Sequence, residues 1–219
     1  MIKRFVIALA FASAAVPTVV SAADKDIEVR LTQRIASIDV KHNGRDITII
    51  RNQDPKNAIN PTFARTSPKC PPFCIQRMEV APGIESIGEL ELIYYLQLAS
   101  TNQKAMIIDV RSEQWASQGT IPGSTNIHWH KLSPDHSKPA NVDKILIERF
   151  GVKKKGKKLD FSKAKTLVLY CNGILCDQAS FAIRVLLYKG YPAKKLLWYR
   201  EGMQIWESLG LTTVKDPGK

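Results

Sequence analysis

The chain reads as an α/β protein: a central, mostly parallel sheet with helices on both faces, preceded by a small N-terminal β-hairpin extension. Three observations predict this. Ala105–Val110, Thr166–Tyr170 and Leu196–Tyr199 are short, nearly continuous apolar runs, the pattern of strands buried on both faces. Helical stretches separate them, as crossovers between parallel strands require. Far upstream, an Asn-Gly pair lies between two runs that alternate apolar and polar residues, a strong hairpin signal.

Taken in order, residues 1–23 read as a leader. Lys3 and Arg4 form a basic start, Phe5–Val16 is apolar, and Val20-Ser21-Ala22 or Ser21-Ala22-Ala23 offers small residues for cleavage after Ala22 or Ala23. The apolar run is short for a bilayer span, and no later stretch is long enough for one. The mature protein is therefore expected to be periplasmic or secreted by bacterial-type export, with no membrane span after signal removal. Residues 24–80 form an extension. Ile35–Lys41 and Asp46–Arg51 are its strands, around His42-Asn43-Gly44-Arg45. Asn52–Pro72, rich in Asn, Pro, Thr and Ser, reads as irregular extended chain, and within it begins the Cys-Pro-Pro-Phe-Cys segment.

Residues 81–214 carry the α/β rhythm. Ser86–Ser100 fits an amphipathic helix, with Leu90, Ile93, Tyr94 and Leu98 at helical spacing. Ala105–Val110 is a strand, Gln114–Gln118 a short helix, Thr120–Ser124 a turn around Pro122-Gly123, and Thr125–Ile127 a short strand. Val142–Phe150 reads as a helix. Lys153–Lys158, KKKGKK, reads as an exposed loop. Thr166–Tyr170 is a strand, and Asp177–Tyr188 a helix ended by Gly190. Leu196–Tyr199 and Met203–Leu209 are a last strand and helix, and 215–219 a C-terminal tail.

Composition sets limits. Hydrophobic residues make up 44% of the 219, enough for a substantial core. The net charge of +12 would attract anionic small molecules, anionic lipid heads or acidic partners, although most of it reads as solvated surface. No aromatic-interleaved basic stretch suggests nucleic-acid binding, and none is expected.

The four cysteines fall into two close pairs. Neither spacing is a zinc ribbon or a haem-attachment motif, and export makes disulfides an expectation to weigh. Cys70 and Cys74 flank Pro71 and Pro72, so a local disulfide closing a tight turn is one reading. Exchange with the other pair is a second reading.

Cys171 and Cys176 bound the loop CNGILC. It follows a predicted strand and precedes a predicted helix. Amides of Asn172, Gly173, Ile174, Leu175 and Cys176, together with the first helical turn, can stabilise a thiolate on Cys171 there. In a parallel sheet, sites lie beyond the C-terminal ends of the strands, where Cys171 falls. Asp177 is read as the cap of the following helix, its carboxylate turned to backbone amides. Cys176 keeps three readings: a small packing residue, a partner that resolves oxidised Cys171 as a disulfide, or, as the family resemblance given below implies, a residue that resolves or relays sulfur carried on Cys171. Arg111 and Arg200, at strand ends, could put positive charge on the pocket rim, with pairing of Arg111 to a nearby acid as the alternative. His128 and His130 share one face if on a strand, but no third ligand is apparent, so no metal site is expected. A phosphatase loop is excluded: such a Cys-x5-Arg loop grips phosphate with its Arg, and the residue six after Cys171 is Asp177.

Five ordered motifs over about residues 84–212 make the chain similar to the rhodanese (sulfurtransferase) family. They are Ile107-Ile108-Asp109-Val110-Arg111; Gly119-Thr120-Ile121-Pro122-Gly123-Ser124-Thr125-Asn126-Ile127; Leu169-Tyr170-Cys171 opening a six-residue loop; Lys189-Gly190-Tyr191; and Tyr199-Arg200-Glu201-Gly202-Met203-Gln204-Ile205-Trp206. The resemblance implies cofactor-free double displacement. Cys171 would take the outer sulfur of a small anionic donor, such as thiosulfate or another sulfane compound, as a persulfide. A thiol acceptor or other nucleophile would then remove it. Thr120 stands where the family often has His, and the loop lacks the Arg or Lys that many relatives use. Two alternatives remain: a thiol–disulfide redox protein or sensor using Cys171 and Cys176, and a binding module that recruits a protein partner through residues 24–80.

Overall fold

The computed structural model describes residues 26–215. The leader and most of the C-terminal tail lie outside the described residues. A β-hairpin comes first, β1 (Ile38–His42) antiparallel to β2 (Arg45–Ile49). Asn43 and Gly44 both take positive φ, 48° and 79°, the pair of left-handed residues that a two-residue turn needs to match strand twist.

Five parallel strands make the main sheet: β3 (Glu85–Ser86), β4 (Ala105–Asp109), β5 (Ser124–Asn126), β8 (Thr166–Tyr170) and β9 (Leu196–Tyr199), in the spatial order β3-β9-β8-β4-β5. β3 was not foreseen. A two-residue strand is too short to leave a periodic signature, and Ser86 falls at the start of the helix expected over Ser86–Ser100. That helix, α1 (Glu89–Asn102), instead starts after Gly88, whose amide donates to the Glu91 carboxylate.

The other helices are α2 (Glu113–Gln118), α3 (Pro139–Glu148), α4 (Gln178–Tyr188) and α5 (Gly202–Ser208). Pro139 opens α3, where its missing N–H costs nothing. The chain passes from β4 to β5 on one side, then returns through α3 to β8 on the other. The strand order therefore reverses between β4 and β8, and the C-terminal ends of strands at such a reversal are where binding sites of parallel sheets lie.

Alternation along the strands feeds two cores. Ile108, Leu167 and Leu169 face α3 and α4, meeting Val142's neighbour Leu146 and the α4 residues Ala182, Ile183 and Leu186. Ile107, Val168 and Tyr170 face the opposite way, toward Leu92 and Leu96 of α1, Met203 and Trp206 of α5, and Ile38, Val40 and Ile49 of the hairpin. Burial of each such large side chain contributes about 1.5–3 kcal/mol. The hairpin thus completes one face of the sheet.

Two local expectations are corrected. Lys153–Lys158 is not a plain loop. It holds β6 (Lys153–Lys155) and the start of β7 (Lys158–Asp160), an antiparallel ribbon turned at Gly156 with φ +60° and pinned by Lys155 on Asp160. His128 and His130 are not on a strand. β5 ends at Asn126, and Trp129–Lys131 form a 3-10 turn. The His130 ring stacks on His136 at 4.0 Å and lies 4.4 Å from the His128 ring, and Trp129 meets Phe181 edge-on. Ring packing here outweighs the β pattern.

Candidate functional site

Cys171 directly follows β8, the middle strand, and is 2% exposed. Its carbonyl accepts from Met203 and that of Asn172 from Gln204, so the first turn of α5 clamps the loop backbone from one side. Gly202 makes this approach possible. It sits at φ +57°, and a Cβ there would lie 2.3 Å from the Cys171 carbonyl oxygen. A Cβ on Gly173 would meet the Gln204 amide oxygen at 2.9 Å.

Within the loop, Cys176 donates its amide to the Gly173 carbonyl. Among the described residues, the amides of Asn172, Gly173, Ile174 and Leu175 make no backbone hydrogen bond. Cys171 and Cys176 are joined as a disulfide with Cα atoms 6.4 Å apart, and Cys70 and Cys74 as another at 4.8 Å. Both separations lie in the range such bridges span. Two bridges are consistent with an oxidising compartment.

Asp177 stands at the cap position of α4, but its side chain makes no capping bond. Its backbone (φ −89°, ψ −6°) is already near-helical, whereas a capping side chain needs the extended conformation to swing back. The carboxylate is exposed.

The two arginines differ. Arg111 is 1% exposed and forks onto Asp109, with Nε to Oδ1 at 2.9 Å and Nη2 to Oδ2 at 2.6 Å. A third bond reaches the Gly119 carbonyl, and Nη1 lies 3.3 Å from the Asn172 side-chain oxygen. Burial opposes its charge, yet Asp109 beside it outweighs that and holds the guanidinium above its ordinary pKa. Arg111 is thus the paired alternative, a brace that links β4 to the loop. Asp109 also accepts from Thr120 at 2.8 Å, and Thr120 meets the Tyr170 hydroxyl at 2.8 Å. Thr120 therefore belongs to a buried polar network with Asp109, Ser124 and Tyr170. Burial pushes the Tyr170 phenol well up, so it stays a neutral donor.

Arg200 follows Tyr199, which pairs in register with Tyr170, so Arg200 and Cys171 leave adjacent strands side by side. Its guanidinium donates to the Gln76 carbonyl at 2.8 Å, and among the described residues it has no carboxylate partner. Sequence reasoning missed Gln76. Its amide donates to the Ile174 carbonyl at 2.9 Å, so the chain just after Cys74 lies along the loop. Phe63 also reaches the site, its carbonyl accepting from Gln204 and its ring 6.2 Å from Trp115. No local signal marks either residue, because both contacts join segments distant in sequence.

Among the described residues, no group of three or more His, Cys, Asp or Glu side chains is arranged to hold a metal. No helix among them is long and apolar enough to cross a membrane.

Residues 93–209, more than half of the chain, match the model of the rhodanese-like domain. The chain belongs to the rhodanese-like family. No curated protein matches its sequence. Solved structures similar to it include the human single-domain sulfurtransferase TSTD1 (23% identity, 55% of this chain and 93% of that one, TM-score 0.38). Others are a rhodanese-related protein from Thermoplasma volcanium (18%, 60% and 99%, 0.37) and a rhodanese-like domain from an Anabaena protein (17%, 62% and 81%, 0.39). The rhodanese-like match begins within α1, so the hairpin and the segment bearing Cys70 and Cys74 lie outside it.

Proposed function

We propose that this rhodanese-like protein is an exported sulfurtransferase that carries sulfane sulfur on Cys171. The observation that carries the reading is the position of Cys171: the end of the middle parallel strand, at the reversal of strand order, wrapped by a loop whose amides at 172–175 make no backbone hydrogen bond among the described residues. Once reduced, the Cys171 thiolate attacks the outer sulfur of thiosulfate or a persulfide donor. The donor's S–S bond breaks, and sulfite or a thiolate leaves with the electron pair. An acceptor thiolate then attacks the outer sulfur of the Cys171 persulfide and regenerates the Cys171 thiolate. Arg200, lacking a carboxylate partner, supplies the positive charge that attracts an anionic donor, while the loop amides bear the charge on sulfur.

The test is intact and peptide mass spectrometry of reduced protein after exposure to thiosulfate. One extra sulfur on the peptide containing Cys171, absent from Cys171→Ser, is the expected result. If reduced protein takes no sulfur there from any sulfane donor, the reading fails.

A second reading is favoured by one observation, the Cys171–Cys176 disulfide. In it the loop is a thiol–disulfide redox centre and the sulfur chemistry is secondary. Reversible formation of that bridge, without sulfur uptake, would select it.

A further inference from the structure

The Cys171–Cys176 disulfide raises a problem of access. Sulfur chemistry cannot start until it is reduced, yet Cys171 is 2% exposed and Cys176 only partly exposed. Gln204 of α5 closes one side of the loop and the Gln76 segment lies along another, so a bulky protein reductant has little approach. Cys70, by contrast, is exposed, and Cys74 is partly exposed. Their bridge sits on a turn with Phe73 and Ile75 open to solvent, 50% and 76% exposed.

The two bridges are tethered to each other. The Gln76 amide donates to the Ile174 carbonyl at 2.9 Å, so Cys74 and Cys176 each stand two residues from one shared hydrogen bond. The Gln76 side chain donates back to the Cys74 carbonyl at 2.8 Å, folding the segment compactly there, and Arg200 grips the Gln76 carbonyl. Arg200, bonded to the Gln76 carbonyl and without a carboxylate partner among the described residues, adds positive charge to the segment that joins the two bridges.

We propose that Cys70 and Cys74 are a second redox-active pair, a shuttle that takes electrons from an external dithiol and reduces the Cys171–Cys176 disulfide. With the outer pair reduced, the Cys74 thiolate attacks Sγ of Cys176. The 171–176 bond breaks and the electron pair leaves on Cys171, the thiolate that the loop amides favour and hence the better leaving group. The Cys70 thiolate then attacks Sγ of Cys74. The Cys74–Cys176 bond breaks, and Cys176 leaves as a thiolate that takes a proton from water. Two electrons have moved inward, the outer pair is oxidised, and an external dithiol reduces it again. This inference rests on the reading of Cys171 as the reactive thiol, and it assigns a role to a segment outside the rhodanese-like match.

The test uses the full mature chain, oxidised at both bridges. Reduction of Cys171–Cys176 is followed by alkylation and peptide mass spectrometry, with reduced thioredoxin as a protein dithiol and dithiothreitol as a small one. Thioredoxin is expected to open the inner bridge about tenfold more slowly in Cys70→Ala/Cys74→Ala than in wild type, whereas dithiothreitol opens it in both. A trap variant, Cys70→Ala/Cys171→Ala, retains Cys74 and Cys176 and is expected to form an intramolecular Cys74–Cys176 disulfide on mild oxidation. Equal thioredoxin rates overturn the proposal, as does a trap that yields only free thiols or intermolecular dimers. If the double variant does not fold, the trap alone decides. Sulfur uptake on Cys171 of reduced wild type is read separately: uptake without exchange sinks only the shuttle, and exchange without uptake sinks only the sulfurtransferase reading.

Discussion

Gly202 cannot carry a side chain where it sits. Its φ is +57°, and a Cβ would lie 2.3 Å from the Cys171 carbonyl oxygen. Gly202→Ala combines left-handed strain with a backbone clash and is expected to cost about 2–4 kcal/mol, read as a lower urea midpoint, with loss of sulfur uptake because the loop loses its clamp. Thr120 is a milder case. Thr120→Val removes a hydroxyl shared by Asp109 and Tyr170, although Ser124 and the Ile121 amide still serve Tyr170. About 1–2 kcal/mol of destabilisation is expected by chemical denaturation. A loss well below that would mean the remaining groups reorganise to satisfy Asp109. At this scale the sequence marked Cys171 and Gly173 by their place between a predicted strand and a predicted helix, and the Asp109–Arg111 motif by its resemblance to the family. It could not tell whether Arg111 would be a rim charge or a buried partner of Asp109, because that depends on which atoms the fold leaves in water.

Acid sensitivity is expected at the 3-10 turn Trp129–Lys131 and at His128 just before it. Burial first, then the neighbouring His130, hold His128 below its ordinary pKa, and burial and His136 do the same to His130. The sign follows directly. The folded state binds these protons less readily than the unfolded chain, so the neutral rings are tolerated above the unfolded value of about 6.5. Stability is lost as pH falls through about 6.5 toward the lower folded values. The urea midpoint is expected to drop between about pH 7.5 and about pH 5, and to drop less in His128→Gln. An equal drop in both proteins would place the acid sensitivity elsewhere. Most strands and helices were legible from their runs and caps. This turn was not, since His-x-His on an apolar background looks like strand until the rings are seen stacked on one another.

Across the whole molecule, the hairpin acts as a wall of the sheet. Ile38, Val40 and Ile49 join the core formed with α1 and α5, and Asn52 and Thr212 bond to the backbone of Gly210 and Ile50 at the C-terminal end. Ile49, fully buried, should cost about 2–4 kcal/mol when cut to Ala, measured by denaturant unfolding. Deleting residues through Ile50 should expose the apolar face of α1 and leave a chain that aggregates or lacks a cooperative thermal transition. A soluble, cooperative truncated domain would show that the hairpin is dispensable.

By itself, the sequence determined the α/β rhythm, the parallel strands and the cysteine-bounded loop, because these rest on local patterns: apolar runs, glycine positions and residue spacing. Tertiary structure alone decided that Arg111 is neutralised by Asp109, that α5 clamps the Cys171 loop through Gly202, and that the segment after Cys74 lies along that loop. Those outcomes come from contacts between segments far apart in the chain, where burial and hydrogen-bond geometry are fixed only once the sheet has formed.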